Sequence, residues 1–495
     1  MLIEHVLERL GPWIEEAMPG LEYPRDIAIS KAPTEGDVVV DCRRWANAAG
    51  RRSEPVARAL AAQVSPDGLI ARVQANAGIV HLWTDQTEAV RRLFQAHEAG
   101  RYWPRAERPE SIVVDVDRVE APGPLRRAPE LRRVFVAHAI ANTLTALGHD
   151  VRTFVLIDDS GPREHRWDPR ESPPEPHPTV GWRLDPEAVT AHEARVEEAV
   201  VTLDAFYEGI GLDVSERMRR SELEDGVHVV VDEGLSRDDV VIDDGLVLAR
   251  DAGRTPALLR RSDGSSLYLG RELALTRHKL VRLGAKCSIC VRTLKERDHF
   301  ANHDAIAQRW RWMERGQLLQ SVPVAPLITP RRMSMVVSRE WPTANVLFSR
   351  IAAALNVDPH PPWSLDWIWA VPRLGLLEGQ PGQMRQFPTT HLDLESFGSS
   401  HAVLRTVRHL QEATMPGWTG QEDGHTRLLL RSLFEAPSVV RRAAETLDPS
   451  KQVDLLERLA RRVRQLQAHQ GVPEALASLA LAIMTDLLRM LGVRT

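Results

Sequence analysis

The sequence predicts an α/β protein organised around a parallel, nucleotide-binding type of sheet, with a small α/β module before it and a helical region after it. Three observations carry this expectation. Residues 111–161 read as strand, loop, helix, strand, the unit that places a nucleotide-binding loop at the end of a parallel sheet. The first 108 residues mix short helical and strand patterns, and from about Thr343 apolar residues recur with helical spacing. The expected domains are 1–108, 109–342 and 343–495.

In order along the chain, MLIEHVLERLGPWIEEA has helical spacing and VVVDCRRW is strand-like. SEPVARALAAQV reads as a helix capped by Ser53 and Glu54. AGIVHLW and the amphipathic QTEAVRRLFQAHEAG close the first module, and the proline-bearing Arg101 to Pro109 reads as a linker. Ile112–Val116 and Val151–Ile157 are apolar strands; between them a helix carries Val134, Ile140, Leu144 and Leu147 and stops at Gly148. Residues 161–177 are too rich in proline and charge for a regular element. A long helix follows in AVTAHEARVEEAVVTLDAFYEGIG, then VHVVVDE, DDVVIDDG and GLVLAR as short β-rich runs. Val453, Leu456, Leu459, Val463 and Leu466 form one helical stripe, and Leu476, Leu479, Ile483, Leu487 and Leu491 another.

At 495 residues, 43% hydrophobic and 26% charged, the composition is that of an ordinary globular chain. No run reaches the ~18 apolar residues of a membrane span, and MLIEHVLERL carries acidic residues where a signal peptide needs a basic region. Three cysteines suit a reducing compartment, so the expected location is the cytoplasm. A net charge of −5 is no nucleic-acid signature; neither a DNA nor a membrane partner is expected, and the chain is expected to be a monomer. Residues 221–245 hold nine acidic side chains and one arginine, most simply a solvated edge. Cys287-Ser-Ile-Cys290 resembles half a metal site, but no second pair has zinc spacing, so both thiols are expected to be buried and no metal is expected.

Several segments together resemble class I arginyl-tRNA synthetases almost end to end. Gly36-Asp37 falls where that family has His-Gly-Asp, and Asn76-Ala77-Gly78-Ile79 is similar to its Pro-Gly-Phe-Ile run. LRRSDGSSLYLGRELALTRHKL (259–280) is the best continuous match, and Asp298-His299-Phe300 matches a His-Phe motif. LLLRSLFEAPSVVRRAAETLDPS and ASLALAIMTDLLRMLGV resemble the helical anticodon-binding domain. The resemblance implies a small N-terminal domain, a Rossmann-like class I catalytic domain and an all-helical anticodon-binding-like domain.

The departures fall on chemistry. Synthetases of this class activate an amino acid by carboxylate attack on the α-phosphate of ATP, a step that depends on positioning and charge stabilisation. After Gly123-Pro124-Leu125 the family carries His-x-Gly-His; this chain has Arg126, Arg127, Ala128 and Pro129. Where Lys-Met-Ser-x-Arg belongs, Arg332 replaces the first lysine, Met333 and Ser334 remain, and Met335-Val336 replace the basic end. Arginine holds phosphate bidentately but cannot copy a compact ammonium. In the amino-acid pocket, Arg118 and Glu120 align with a serine and an asparagine, Glu272 with an aspartate, Leu275 with a tyrosine and Glu296 with a glutamine, while Tyr268, His299 and Phe300 stay. An aromatic-rich stretch of the last domain is replaced by Arg461-Arg462-Val463-Arg464.

Three functions are compatible with these departures. The first is a binding or regulatory paralogue (a pseudoenzyme), with tRNA or another protein as partner. The second is a repurposed ATP-dependent aminoacyl ligase or transferase, and the third an active, divergent arginine–tRNA ligase. No replacement catalytic constellation is visible, which favours the first; ATP is a candidate ligand and no cofactor is certain. Arg441, Arg442, Arg458, Arg461, Arg462 and Arg464 are candidate RNA phosphate contacts, against the simpler alternative of a solvated helix face.

Overall fold

The computed structural model describes residues 2–17, 27–30, 36–120, 128–159, 186–250, 257–310, 316–325, 327–328, 362–383, 385–386, 398–412, 424–469 and 471–494. Two compact units make up the chain. The first comprises Met1–Arg105, Gly398–Thr446 and Lys451–Leu488; the second comprises Ala106–Phe397, Leu447–Ser450 and Arg489–Thr495.

The first unit opens with α1 (Leu2–Ala17), β1 (Ile27–Ile29), β2 (Val38–Asp41), α2 (Arg43–Ala48), α3 (Ser53–Gln63), β3 (Ile70–Asn76), β4 (Ile79–Thr84) and α4 (Gln86–Glu98). Its strands form an antiparallel sheet in the order β1-β2-β4-β3. Burial alternates along β4, as in a sheet with one face covered. VVVDCRRW is a strand only to Asp41, whose carboxylate accepts from the backbone N–H and guanidinium of Arg43 and turns the chain into α2. At α3 the expected cap is absent: Arg52 holds the N-cap position without a side-chain bond, and Glu54 accepts from the Gly78 N–H at 3.0 Å.

The second unit contains β5 (Ser111–Glu120), α5 (Ala128–Ala146), β6 (Asp150–Asp158), α6 (Pro186–Gly209), β7 (Glu216–Arg219), α7 (Arg220–Ser236), β8 (Val240–Asp243), β9 (Leu246–Ala249), β10 (Ala257–Arg260), α8 (Tyr268–Arg277), β11 (Cys287–Thr293), α9 (Arg297–Arg309), β12 (Leu318–Val324), β13 (Leu327–Ile328), α10 (Pro362–Leu377) and β14 (Arg385–Gln386). Then follow α11 (Gly398–Glu412), α12 (Gly424–Glu445), α13 (Ser450–His469) and α14 (Glu474–Met490), which lie mostly in the first unit. The stripes read from the sequence in α13 and α14 are buried from Val453 to Leu466 and from Leu476 to Leu487.

The central sheet is all-parallel in the order β12-β11-β5-β6-β7. Ile112, Val113, Val114 and Val116 are all buried, as expected of a strand covered on both faces. Asp115 is buried among them and takes an ion pair from the buried Lys279 and a 2.8 Å bond from the Cys290 thiol. Asp117 is held by the Tyr207 hydroxyl at 2.9 Å.

VHVVVDE, read as β-rich, belongs to α7. Leu223, Val227, Val230, Val231 and Gly234 are its buried positions, a three-to-four-residue spacing that outweighs the β preference of valine once the face has a core to join. That core includes Leu269, Leu273, Ala274 and Trp310. The acidic stretch 221–245 is only partly a solvated edge: Glu233 pairs with Arg277 and Asp239 with Arg309. Nor is the start of 101–109 a free linker, since Tyr102 is buried with its hydroxyl on the Leu433 carbonyl and Trp103 donates to Asp486 at 2.8 Å.

One ionic cluster holds the first unit together. Asp37 is buried beside Gly36, where an added Cβ would lie 2.6 Å from the Leu82 backbone nitrogen. Its carboxylate accepts from the Thr84 N–H at 2.7 Å and hydroxyl at 2.8 Å, and from Arg427 and Arg431 of α12 at 2.8 Å each. The N-terminal sheet and the C-terminal helices thus share one buried charge centre.

Candidate functional site

The strand order reverses between β5 and β11, with β6 and β7 on one side and β12 on the other. In open α/β sheets, ligands bind at the carboxyl ends of the strands at such a point. Arg118 lies near the end of β5, and Glu296 follows the end of β11 in a single 3₁₀ turn, Leu294–Glu296. Helix α8 brings Tyr268 and Glu272 to the same place. Its approach depends on Gly270, where a Cβ would sit 2.9 Å from the Leu259 carbonyl of β10. Only glycine lets this helix lie so close to that backbone.

These four side chains form one network. Both terminal guanidinium nitrogens of Arg118 bond the two carboxylate oxygens of Glu272, Nη1 to Oε1 and Nη2 to Oε2, the latter at 2.6 Å. This is the fork-to-fork geometry that makes arginine–carboxylate pairs strong. Nη1 also meets the Tyr268 hydroxyl at 3.1 Å, and the guanidinium carbon lies 5.8 Å from the centre of that ring. The Tyr268 hydroxyl donates to Glu296 Oε1 at 3.1 Å, and Glu296 Oε2 accepts from the Thr293 N–H and hydroxyl at 2.9 and 2.8 Å. Glu272 is almost fully enclosed, with 3% of its side chain accessible, whereas Arg118 keeps 27%.

The electrostatics follow from this arrangement. Burial pushes the Glu272 carboxyl up, but Arg118 outweighs it and, with Arg292 and His303 adding to the effect, brings it down to about 2. Burial likewise opposes the charge on Arg118, and Glu272 overcomes it, holding the guanidinium well above its ordinary value. Burial and the Glu272 charge raise the Tyr268 phenol, so it stays a donor. Glu296 is held below the usual carboxylate range against burial by the Thr293 bonds and by Tyr268. The four-membered network therefore contains one cation, two carboxylates and a neutral phenol, with the buried Arg292 as a further positive charge acting on Glu272.

Of the pocket residues expected from the sequence, Tyr268, Glu272 and Glu296 come together. Glu120 ends β5, and His299 and Phe300 lie in the first turn of α9, next to Glu296. Ala128, assigned to a loop, opens α5. Gly123, Pro124, Arg126 and Arg127, and Arg332, Met333 and Ser334 of the second loop, lie outside the described residues, as do 161–177. Arg118, noted only as a substitution, proves central, and its pairing across 154 residues has no local signal in the sequence. Asp158 and Asp159 serve the fold, bonding Arg220 and the Ser221 N–H and hydroxyl. His138 is buried, and burial together with Arg373 and Arg494 holds it well below the ordinary histidine value. Cys287 and Cys290 are buried, and burial pushes the Cys287 thiol up to about 12.

The candidate C-terminal arginines lie in α12 and α13, within the first unit. Arg441, Arg442, Arg461 and Arg464 are exposed, Arg462 is half-buried, and Arg458 bonds Glu435 at 2.7 Å. Burial, then repulsion from Arg461 and Arg458, lowers Arg462 below the usual arginine range. Arg458, Arg461 and Arg462 of α13 therefore lie close enough to repel one another.

No helix among the described residues is long and apolar enough to cross a membrane. No family model matches the sequence, and no curated protein matches it either. Among solved structures, an arginyl-tRNA synthetase from Thermus thermophilus is similar over 100% of this chain and 99% of its own, with a TM-score of 0.70 at 16% identity. The Plasmodium falciparum arginyl-tRNA synthetase is similar over 100% and 98%, with a TM-score of 0.73 at 11% identity. The chain thus has the fold of arginyl-tRNA synthetases, with a Rossmann-like parallel sheet and helical C-terminal part.

Proposed function

We propose that this arginyl-tRNA-synthetase-like protein does not activate arginine and serves as a binding or regulatory paralogue, with tRNA or another protein as its partner. The observation that carries the proposal is the Arg118–Glu272 fork: the enclosed carboxylate best placed to bind a substrate guanidinium already holds one from the chain itself. A free cationic side chain would have to break this pair and displace Arg118 from the enclosed carboxylate, a cost on the order of a few kcal/mol. The substitutions Arg126-Arg127-Ala128-Pro129 and Arg332-Met333-Ser334, with no lysine between Lys295 and Lys451, support the same reading. ATP remains a candidate ligand of the crevice at the sheet edge. The proposed organisation is 1–108, 109–342 and 343–495, acting as a monomer in the cytoplasm.

The crowded arginines of α13 favour RNA phosphate as the ligand of the C-terminal part. An incoming phosphate relieves the repulsion among Arg458, Arg461 and Arg462. Phosphate contacts release counterions and carry no sequence information. Gel shifts with two unrelated tRNAs at low and moderate salt test this. The expected result is similar affinity for both, falling steeply with salt, with the slope reduced by roughly one for each phosphate-contacting arginine removed, as in Arg461→Ala. Salt-resistant preference for a single tRNA would contradict the proposal, and no binding would leave a protein as the partner. A thermal shift with ATP and an amino acid other than arginine would favour the ligase or transferase alternative.

A further inference from the structure

We infer that Glu272, Tyr268 and Glu296 form a guanidinium socket whose resident ligand is the Arg118 side chain, and that residue 118 alone decides whether the socket accepts a small guanidinium compound from solution. The inference rests on the proposed loss of arginine activation and goes further, naming both the ligand class and the residue that excludes it.

The elements that carry the acceptors are held in place by bonds that do not involve the occupant. Glu272 lies mid-helix, flanked by the buried Gly270, Leu273, Ala274, Leu275 and Thr276. One turn on, the Thr276 hydroxyl bonds His303 at 2.8 Å and so links α8 to α9. Glu296 is fixed by the Thr293 N–H and hydroxyl, and in turn accepts from Tyr268. None of these bonds involves Arg118. Arg118 comes from a different element, β5, and supplies the planar fork that fits two carboxylate oxygens and the face of a phenol. The occupant therefore identifies the ligand: a planar cation with at least two N–H groups on one edge, as in guanidinium, agmatine or the arginine side chain. Lysine supplies a point charge without the fork. The remaining accessibility of Arg118 marks the side from which a ligand would enter.

Shortening residue 118 should open the socket. Arg118→Ala leaves the enclosed Glu272 without its main partner, so the variant should melt below the wild type, and a ligand that replaces the lost guanidinium should restore part of the difference. Melting curves of the full chain would be recorded with guanidinium chloride, agmatine or arginine at about 5 mM, a concentration at which binding rather than denaturation dominates. The expected result is a rise of about 2 °C for Arg118→Ala with each of the three and none with lysine or urea. Wild type and the double variant Arg118→Ala/Glu272→Gln should show no rise with any of them. If Arg118→Ala does not fold, the yield of folded protein on refolding with and without the same guanidinium reports the same property, and a gain confined to that variant supports the socket. No rise and no gain, or an equal rise in the wild type, would overturn it. An inactive wild type combined with no rescue of Arg118→Ala would sink the socket while leaving the proposed function intact. Arginine-dependent pyrophosphate exchange by the wild type would sink the proposed function itself.

Discussion

Replacing Asp37 by alanine removes the charge at the centre of the first unit, and the structure sets the scale of the loss. The carboxylate accepts two bonds from Thr84 and one each from Arg427 and Arg431, all between 2.7 and 2.8 Å. Accessibility is 3% for the Asp37 side chain, 4% for Arg431 and 11% for Arg427. Two guanidiniums would be left with little water to replace their partner, and breaking a buried pair in this way typically costs about 3–5 kcal/mol. Asp37→Asn keeps one acceptor oxygen, enough for the Thr84 bonds, but loses the charge and the second acceptor facing Arg431, so a loss smaller than that of Asp37→Ala is expected. A chain of two units need not unfold in two states, so the effect is best read locally, by amide hydrogen exchange on peptides from β2, β4 and α12. Protection there should fall by about 150- to 5,000-fold, while peptides from β5 and β11 in the second unit stay unchanged. A loss smaller than about tenfold in β4 and α12, or an equal loss in β5, would refute the idea that this cluster holds the first unit.

Two pH effects follow from the second unit. Glu272 titrates near 4.5 when unfolded and at about 2 when folded; between those values only the unfolded chain takes up the proton, so stability falls as pH drops through this window, by about 3 kcal/mol in all. Denaturant melts from pH 5 to pH 2 should show a shallower decline in Glu272→Gln than in the wild type, and equal slopes would contradict the paired carboxylate. His138 resists protonation in the folded chain, whereas the unfolded chain takes up a proton below the ordinary value of 6.5. Lowering pH from 6.5 should therefore remove about 1.4 kcal/mol per unit from this group, and His138→Gln should flatten the profile between pH 6.5 and 5; an unchanged profile would show that the imidazole takes up its proton as readily in the folded chain as in the unfolded one.

What the sequence revealed depended on the range of the interactions involved. The strands at 112–116 and 151–157 could be read because parallel strands covered on both faces are continuous apolar runs, and Gly148 marked the end of the helix between them, where the structure has φ near 93°. Residues 227–233 are helical against their valine-rich composition, because the spacing of Leu223, Val227, Val230 and Gly234 gives the segment one face to bury. The nearness of Tyr268, Glu272 and Glu296 was legible in the continuous motif at 259–280 and the neighbouring His-Phe pair. The partner that changes their meaning was not, because Arg118 meets Glu272 only after β5 and α8 are brought together by the fold. The same holds for Asp37, whose arginine partners lie 390 and 394 residues away. Long-range charge pairing leaves no periodicity and no motif, and it is what decides the character of both centres.

The most direct test of the central claim is arginine-dependent ATP–pyrophosphate exchange by the purified full chain, with and without bulk tRNA. With Glu272 held by Arg118 and without the histidine and lysine signatures, no exchange above background is expected. Exchange at about one per second or faster, the range of ordinary enzymes, would show that free arginine displaces Arg118 and reaches ATP, and would contradict the account.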